Sequence, residues 1–205
     1  MSGIIAQNSG RHTGLVKASS GGGGVWNLIK TYTASGDADL SFVEGTDDID
    51  FTAYNEFVFK FYDLNPADDD KKFQFNVSID TGSNYNVAKT TAFFRAYHDE
   101  ADTEAVLGYV TGNDLAQGTG VQVFTESAGN GADESAYGEL HLFAPSSTTF
   151  VKHFYSRTST YYTSDYAMDV YVAGYANTTS AVDAIQFSVE SGGNFDGSIS
   201  LYGIS

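Results

Sequence analysis

Residues 55–79 read NEFVFKFYDLNPADDDKKFQFNVSI, and two short runs inside them decide the fold. Phe57, Phe59 and Phe61 take alternate positions, with Val58, Lys60 and Tyr62 between them. Phe73, Phe75, Val77 and Ile79 alternate in the same way with Lys72, Gln74, Asn76 and Ser78. A period of two marks an antiparallel strand with one face in the core and one toward water. Pro66 and the run Asp68 to Asp70 place a turn between the two.

Similar runs continue in both directions. Before them stand VWNLIKTYT (25–33) and a short run at 39–43; Trp26 is expected to anchor the core. After them come runs at 91–97, 106–110, 121–125, 137–144, 149–157, 166–175, 182–190 and 197–203. Gly, Asn, Asp and Ser clusters such as DTGSNYN (80–86) and SAGNGADES (127–135) separate them. About a dozen short strands with such turns predict an all-β protein: a jelly-roll-like antiparallel β-sandwich, residues 25–205, in one domain. No segment has the period of a long amphipathic helix.

Composition narrows the chemistry. The 205 residues carry 26 Asp and Glu against 10 Lys and Arg, for a net charge of −16. Such a charge opposes a phosphate backbone, so no nucleic-acid partner is expected. There is no Cys, hence no disulfide and no thiolate ligand; His12, His98, His141 and His153 are scattered. No metal and no cofactor are expected. The acidic turns at 47–51, 66–72 and 80–84 offer oxygen ligands but do not match the calcium-loop spacing. No apolar run is long enough for a membrane span, and the first residues lack a secretory leader's apolar stretch.

The usual catalytic signatures are absent: no nucleophile elbow, no phosphate-binding loop, no paired zinc histidines. His98 stands beside Asp99 and Glu100, but neighbours on a strand face opposite ways, which is not a triad. A non-enzymatic role is therefore expected. The one polar aromatic cluster is STYYTSDY (159–166). There Tyr161, Tyr162 and Tyr166 could stack on a sugar or a partner, with Asp165 accepting hydroxyl hydrogen bonds.

The beginning of the chain differs from the rest. Asp37 is the first acidic residue, and Arg11, Lys17 and Lys30 precede it. Residues 1–24 have no helical period and end in SSGGGG (19–24), a linker composition. Ordering such a segment costs about 1–2 kcal/mol per residue. An extended N-terminal arm held by neighbouring chains is expected, with Ile4, Ile5, Leu15 and Val16 filling partner pockets and Arg11 and Lys17 meeting carboxylates.

Four segments carry a resemblance: SGIIAQNSGRHTGLVKA (2–18), FVFKFYDLNPADDDKKFQFNVSIDTGSNYN (57–86), YVAGYANTTSAVDAIQFSVESGGNFDGSISLYGI (171–204) and the closing GNFDGSISLYGIS (193–205). Together they resemble virion structural proteins of marine tailed bacteriophages, described as structural, decoration or tail-fibre proteins. The resemblance implies a virion protein assembled in the bacterial host cytoplasm. Its partners would be other virion proteins and copies of itself, most often as a trimer, and it brings no catalytic residues. The alternative is a carbohydrate-binding module or glycan-acting attachment protein that meets a host surface glycan.

Overall fold

The computed structural model describes residues 25–205. The expected arm, with Ile4, Ile5, Arg11, Leu15, Val16 and Lys17, lies outside the described residues. Twelve strands form: β1 Trp26–Asp37, β2 Asp39–Val43, β3 Glu56–Pro66, β4 Phe73–Ser78, β5 Lys89–Asp99, β6 Ala105–Tyr109, β7 Gln122–Val123, β8 Ala136–Phe143, β9 Lys152–Tyr162, β10 Tyr166–Ala176, β11 Ala184–Val189 and β12 Phe195–Ile204. A single 3-10 turn, Glu190–Gly192, is the only helical piece among the described residues.

The strands make two antiparallel sheets packed as a sandwich. The large sheet runs β1-β12-β3-β8-β9-β10-β5-β6, and the small one β2-β11-β4-β7. The alternating phenylalanines explain the packing. From β3, Phe57, Phe59 and Phe61 point inward and are almost wholly buried; from the small sheet Phe42, Phe75 and Phe187 face them. Phe187 lies at the centre, with ring centroids 5.2 Å from Phe59, 5.4 Å from Phe61 and 6.0 Å from Phe124. Phe61 and Phe124 stack at 4.6 Å. Edge-on and stacked rings at these distances add to the burial of their area.

Three details depart from the sequence expectation. Trp26 is not a core anchor: it is 44% exposed at the start of an edge strand, under the Lys60 ammonium. β3 runs on as far as Pro66, which confines the expected turn to the residues after it, 67–70. It does so with a break in register against β8 between Phe61 and Leu64, where Asp63 takes a left-handed φ of 52°. Ile79 falls beyond β4 and is exposed.

Gly203, in the closing LYGI segment, has a packing reason. A Cβ there would run into the ring of Tyr54, which lies against it.

Two lysines are buried without a carboxylate partner. Lys89 has no exposed surface. Its Nζ donates to the Val87 carbonyl at 2.9 Å and to the Asn76 Oδ1. Lys152 is equally buried and donates to the carbonyls of Phe150 and Thr178. Burial pushes the Lys89 amine down from 10.5 to about 8, and lowers Lys152 as well. Below pH 8 both folded and unfolded chains hold the Lys89 proton, so the folded state carries the full cost of the buried charge. Above it, the unfolded chain keeps a proton that the folded chain has released, and stability rises with pH. The expected gain between pH 8 and 9.5 is roughly 2 kcal/mol. Urea midpoints across that window check it, and Lys89→Met should flatten the rise. A flat profile in the parent chain contradicts it.

Candidate functional site

Eight strands cannot be covered by four. Toward the β6 edge, the inner face of the large sheet leaves a hollow of about 220 Å³ beside the small sheet. It is lined by Arg95, Tyr97, Glu104, Tyr162, Ser164, Tyr166 and Met168. Strand alternation sets the lining: Arg95 and Tyr97 are two apart on β5, and Tyr166 and Met168 two apart on β10. Tyr162, the last residue of β9, pairs with Tyr166 across the hairpin. A three-residue loop joins them. Its last residue, Asp165, has φ 62° and donates its N–H to the Tyr162 carbonyl at 3.0 Å. A turn closed by a left-handed residue is a common hairpin solution, and Asp tolerates that conformation.

The three phenol rings meet edge to face. Tyr97 and Tyr166 are 5.4 Å apart at 83°, and Tyr162 and Tyr166 are 5.7 Å apart at 86°. The Arg95 guanidinium lies over the Tyr97 ring at 5.3 Å. Its other side is held by Glu126, only 3% exposed, at 2.7 Å. Glu126 also meets Lys72 at 3.4 Å and accepts from Asn113 at 3.0 Å. Glu104 also lines the hollow and accepts from the Tyr166 hydroxyl at 3.4 Å. The nearby Glu104 charge, first of all, raises the Tyr166 pKa, so the phenol keeps its proton. Glu104 is positioned by Asp99, whose carboxylate accepts from the N–H of Thr103 at 2.8 Å and of Glu104 at 2.7 Å, and from the Thr103 hydroxyl. Those bonds hold the Asp99 carboxyl below its usual range. The lining thus offers flat rings, one cation and one carboxylate. It suits a ring with several hydroxyls, and no second carboxylate or base stands with Glu104 in the lining.

The hairpin separates the tyrosines grouped in the sequence. Tyr161 and Tyr162 are adjacent on a strand, so they project from opposite faces. Tyr162 and Tyr166 belong to the hollow. Tyr161 lies on the outer face, where its hydroxyl donates to Asp165 at 3.1 Å and Glu100 at 3.3 Å. The bond to Asp165 leads in raising its pKa to about 12. There Tyr161 lines a second hollow of about 350 Å³ with His98, Asp133 and Tyr137, and Tyr166 takes part in its lining as well. Sequence reasoning missed Tyr97, Arg95 and Glu104. The strand at 91–97 carried the first two, but only the β5–β10 pairing brings them to Tyr166.

The outer face of the large sheet is a different surface. One register row crosses it from Lys60 through Glu139, Arg157, Tyr171 and Phe94 to Tyr109. Lys60 pairs with Glu139 at 3.0 Å and lies over the Trp26 ring at 4.8 Å. Arg157 holds Asp169 with two bonds, at 2.9 and 3.1 Å, and covers one side of Tyr171. Phe94 stacks with Tyr171 at 4.8 Å. Charges and ring faces on this row are matched to one another, which braces the sheet; a hollow of about 530 Å³ opens beside them, lined among others by Tyr137, Glu139, Arg157 and Asp169. Comparison with protein-family models and with curated proteins gives no match.

Proposed function

We propose that this chain is a non-enzymatic virion structural protein of a tailed bacteriophage, an outward-facing β-sandwich module of the capsid surface or of a fibre, fastened by residues 1–24. Eight of the strands support a jelly-roll reading. In chain order they change sheet at every step but one, β4 to β7, and lie as β1-β12-β3-β8 over β2-β11-β4-β7. The other four, β5, β6, β9 and β10, widen one sheet.

The observation that carries the reading is the corner where residues 1–24 join the body. Val25, Trp26 and Leu28 are 54%, 44% and 59% exposed there. The end of the chain lies alongside, with Trp26 paired to Ile204. An apolar corner at the root of a cationic segment is a natural place for a neighbour to cover. The test is antibody labelling of intact particles with serum raised against the chain. Labelling of undisturbed particles is expected; labelling only after disruption, or none, overturns the reading.

The second reading, glycan attachment, is favoured by the phenol-lined hollow. If it holds, Tyr162→Ala should weaken binding of an array-selected glycan about tenfold. Tyr161→Ala, on the other face, should leave it nearly unchanged. Equal effects of the two substitutions count against the hollow.

A further inference from the structure

The outermost strands of the two sheets are not equally defended. β1 contains Lys30 and two breaks in register, at Leu28/Lys30 and Ser35/Asp37. β2 begins with Asp39, and β7 has only two residues. Short length, charge and bulges keep an edge from pairing with another chain. β6, Ala105–Tyr109, has no charge, no Pro and no break in register along β5. Its side chains are apolar and bare: Leu107 is 74% exposed, Tyr109 54% and Val106 44%. An open apolar edge of this kind accepts an added strand, which supplies backbone hydrogen bonds and side-chain contacts together.

The chain contains a segment that matches. Residues 1–24 hold no acid and two cations, Arg11 and Lys17, and Leu15 and Val16 directly precede Lys17. The ends of β6 are acidic: Asp102 and Glu104 lie before it and Asp114 after it, the last accepting from the Tyr109 hydroxyl at 2.6 Å. An apolar pair with a flanking cation thus faces an apolar strand with flanking carboxylates. The sheet order says which copy supplies it. The segment joins the body at β1, and β1 and β6 are the two opposite edges of the large sheet, about 34 Å apart at roughly 4.8 Å per strand. Copies set side by side bring the root of one segment to the β6 edge of the next.

We infer that β6 is the docking edge for residues 1–24 of a neighbouring copy, with Leu15 and Val16 laid along Val106 to Tyr109 and Lys17 set against a carboxylate at the end of the strand. This rests on the reading of residues 1–24 as the fastening segment, and names what they fasten to. The contact is head to tail, so it closes into a ring where the rotation between copies permits.

The absence of cysteine makes the test clean. Full-length Val16→Cys and Leu107→Cys chains are mixed and oxidised, and the disulfide-linked heterodimer is measured. Ser180→Cys, on an exposed loop, replaces Leu107→Cys as the control. Thiols brought within bonding distance by strand pairing should give about tenfold more heterodimer than the control. Equal yields overturn the proposal. So does a disulfide that closes within one chain, independent of concentration, in a Val16→Cys/Leu107→Cys double variant. The parent reading is judged separately. If particles need residues 2–20 but Leu107→Cys traps nothing, the fastening stands and this edge fails. If the heterodimer forms but truncated chains still enter particles, the edge stands and the fastening fails.

Discussion

Phe187→Ala is expected to lower the stability of the sandwich by about 3–5 kcal/mol, the range for removing a large buried ring. Phe187 projects from β11, the second strand of the small sheet, and meets rings from both layers: Phe42 and Phe75 beside it, Phe59 and Phe61 across from it. None of these rings can move far, because each is itself fully buried and packed on others. The cavity therefore stays open, and the cavity cost adds to the lost transfer energy. Domains of this size are stable by about 5–15 kcal/mol, so one substitution takes a large share. Denaturant unfolding checks it: the midpoint should fall with little change in slope. A loss below about 1 kcal/mol would mean the layers are not packed as described.

Arg95→Met is expected to cost about 3 kcal/mol, at the lower end for stripping a partner from a buried charge. The charge left behind is Glu126, which keeps Lys72 at 3.4 Å and the Asn113 amide, but loses the closest cation, at 2.7 Å. Taking both charges away should be milder. The Arg95→Met/Glu126→Leu double variant is expected to recover most of the loss, since a matched apolar pair avoids the desolvation of two ions. Unfolding free energies of the parent, the two single variants and the double variant give the coupling. A double variant as unstable as the sum of the singles contradicts the account. Because Arg95 also lines the hollow, the glycan-attachment reading predicts that the double variant stays folded and fails to bind a glycan that the parent chain binds.

The sequence already showed the two-layer, all-β plan, because period-two alternation is written locally in residues such as Phe57, Phe59 and Phe61. It did not show which strands pair. β1 lies against β12, from the far end of the chain, and no local pattern specifies so distant a partner. The Tyr cluster illustrates the same limit. A run such as STYYTSDY reads as one polar aromatic patch until the hairpin assigns Tyr161 to one face and Tyr162 to the other. Trp26 was misplaced because a large apolar residue beginning a strand looks like core unless the strand is known to be an edge. Glu126 was one acid among 26; only tertiary pairing brings Lys72, Arg95 and Asn113 around it. The bare edge of β6 was equally hidden, since AVLGY reads like any other short strand and only the sheet order leaves one side of it unpaired among the described residues.

The central claim is that residues 1–24 fasten a folded, displayed body to a particle. Its most direct measurement is the amount of chain in purified particles when residues 2–20 are deleted, with the body's unfolding midpoint checked in parallel. The account predicts that the truncated chain folds with an unchanged midpoint and falls to background in the particles. Truncated chain present at the level of the full-length protein would contradict it.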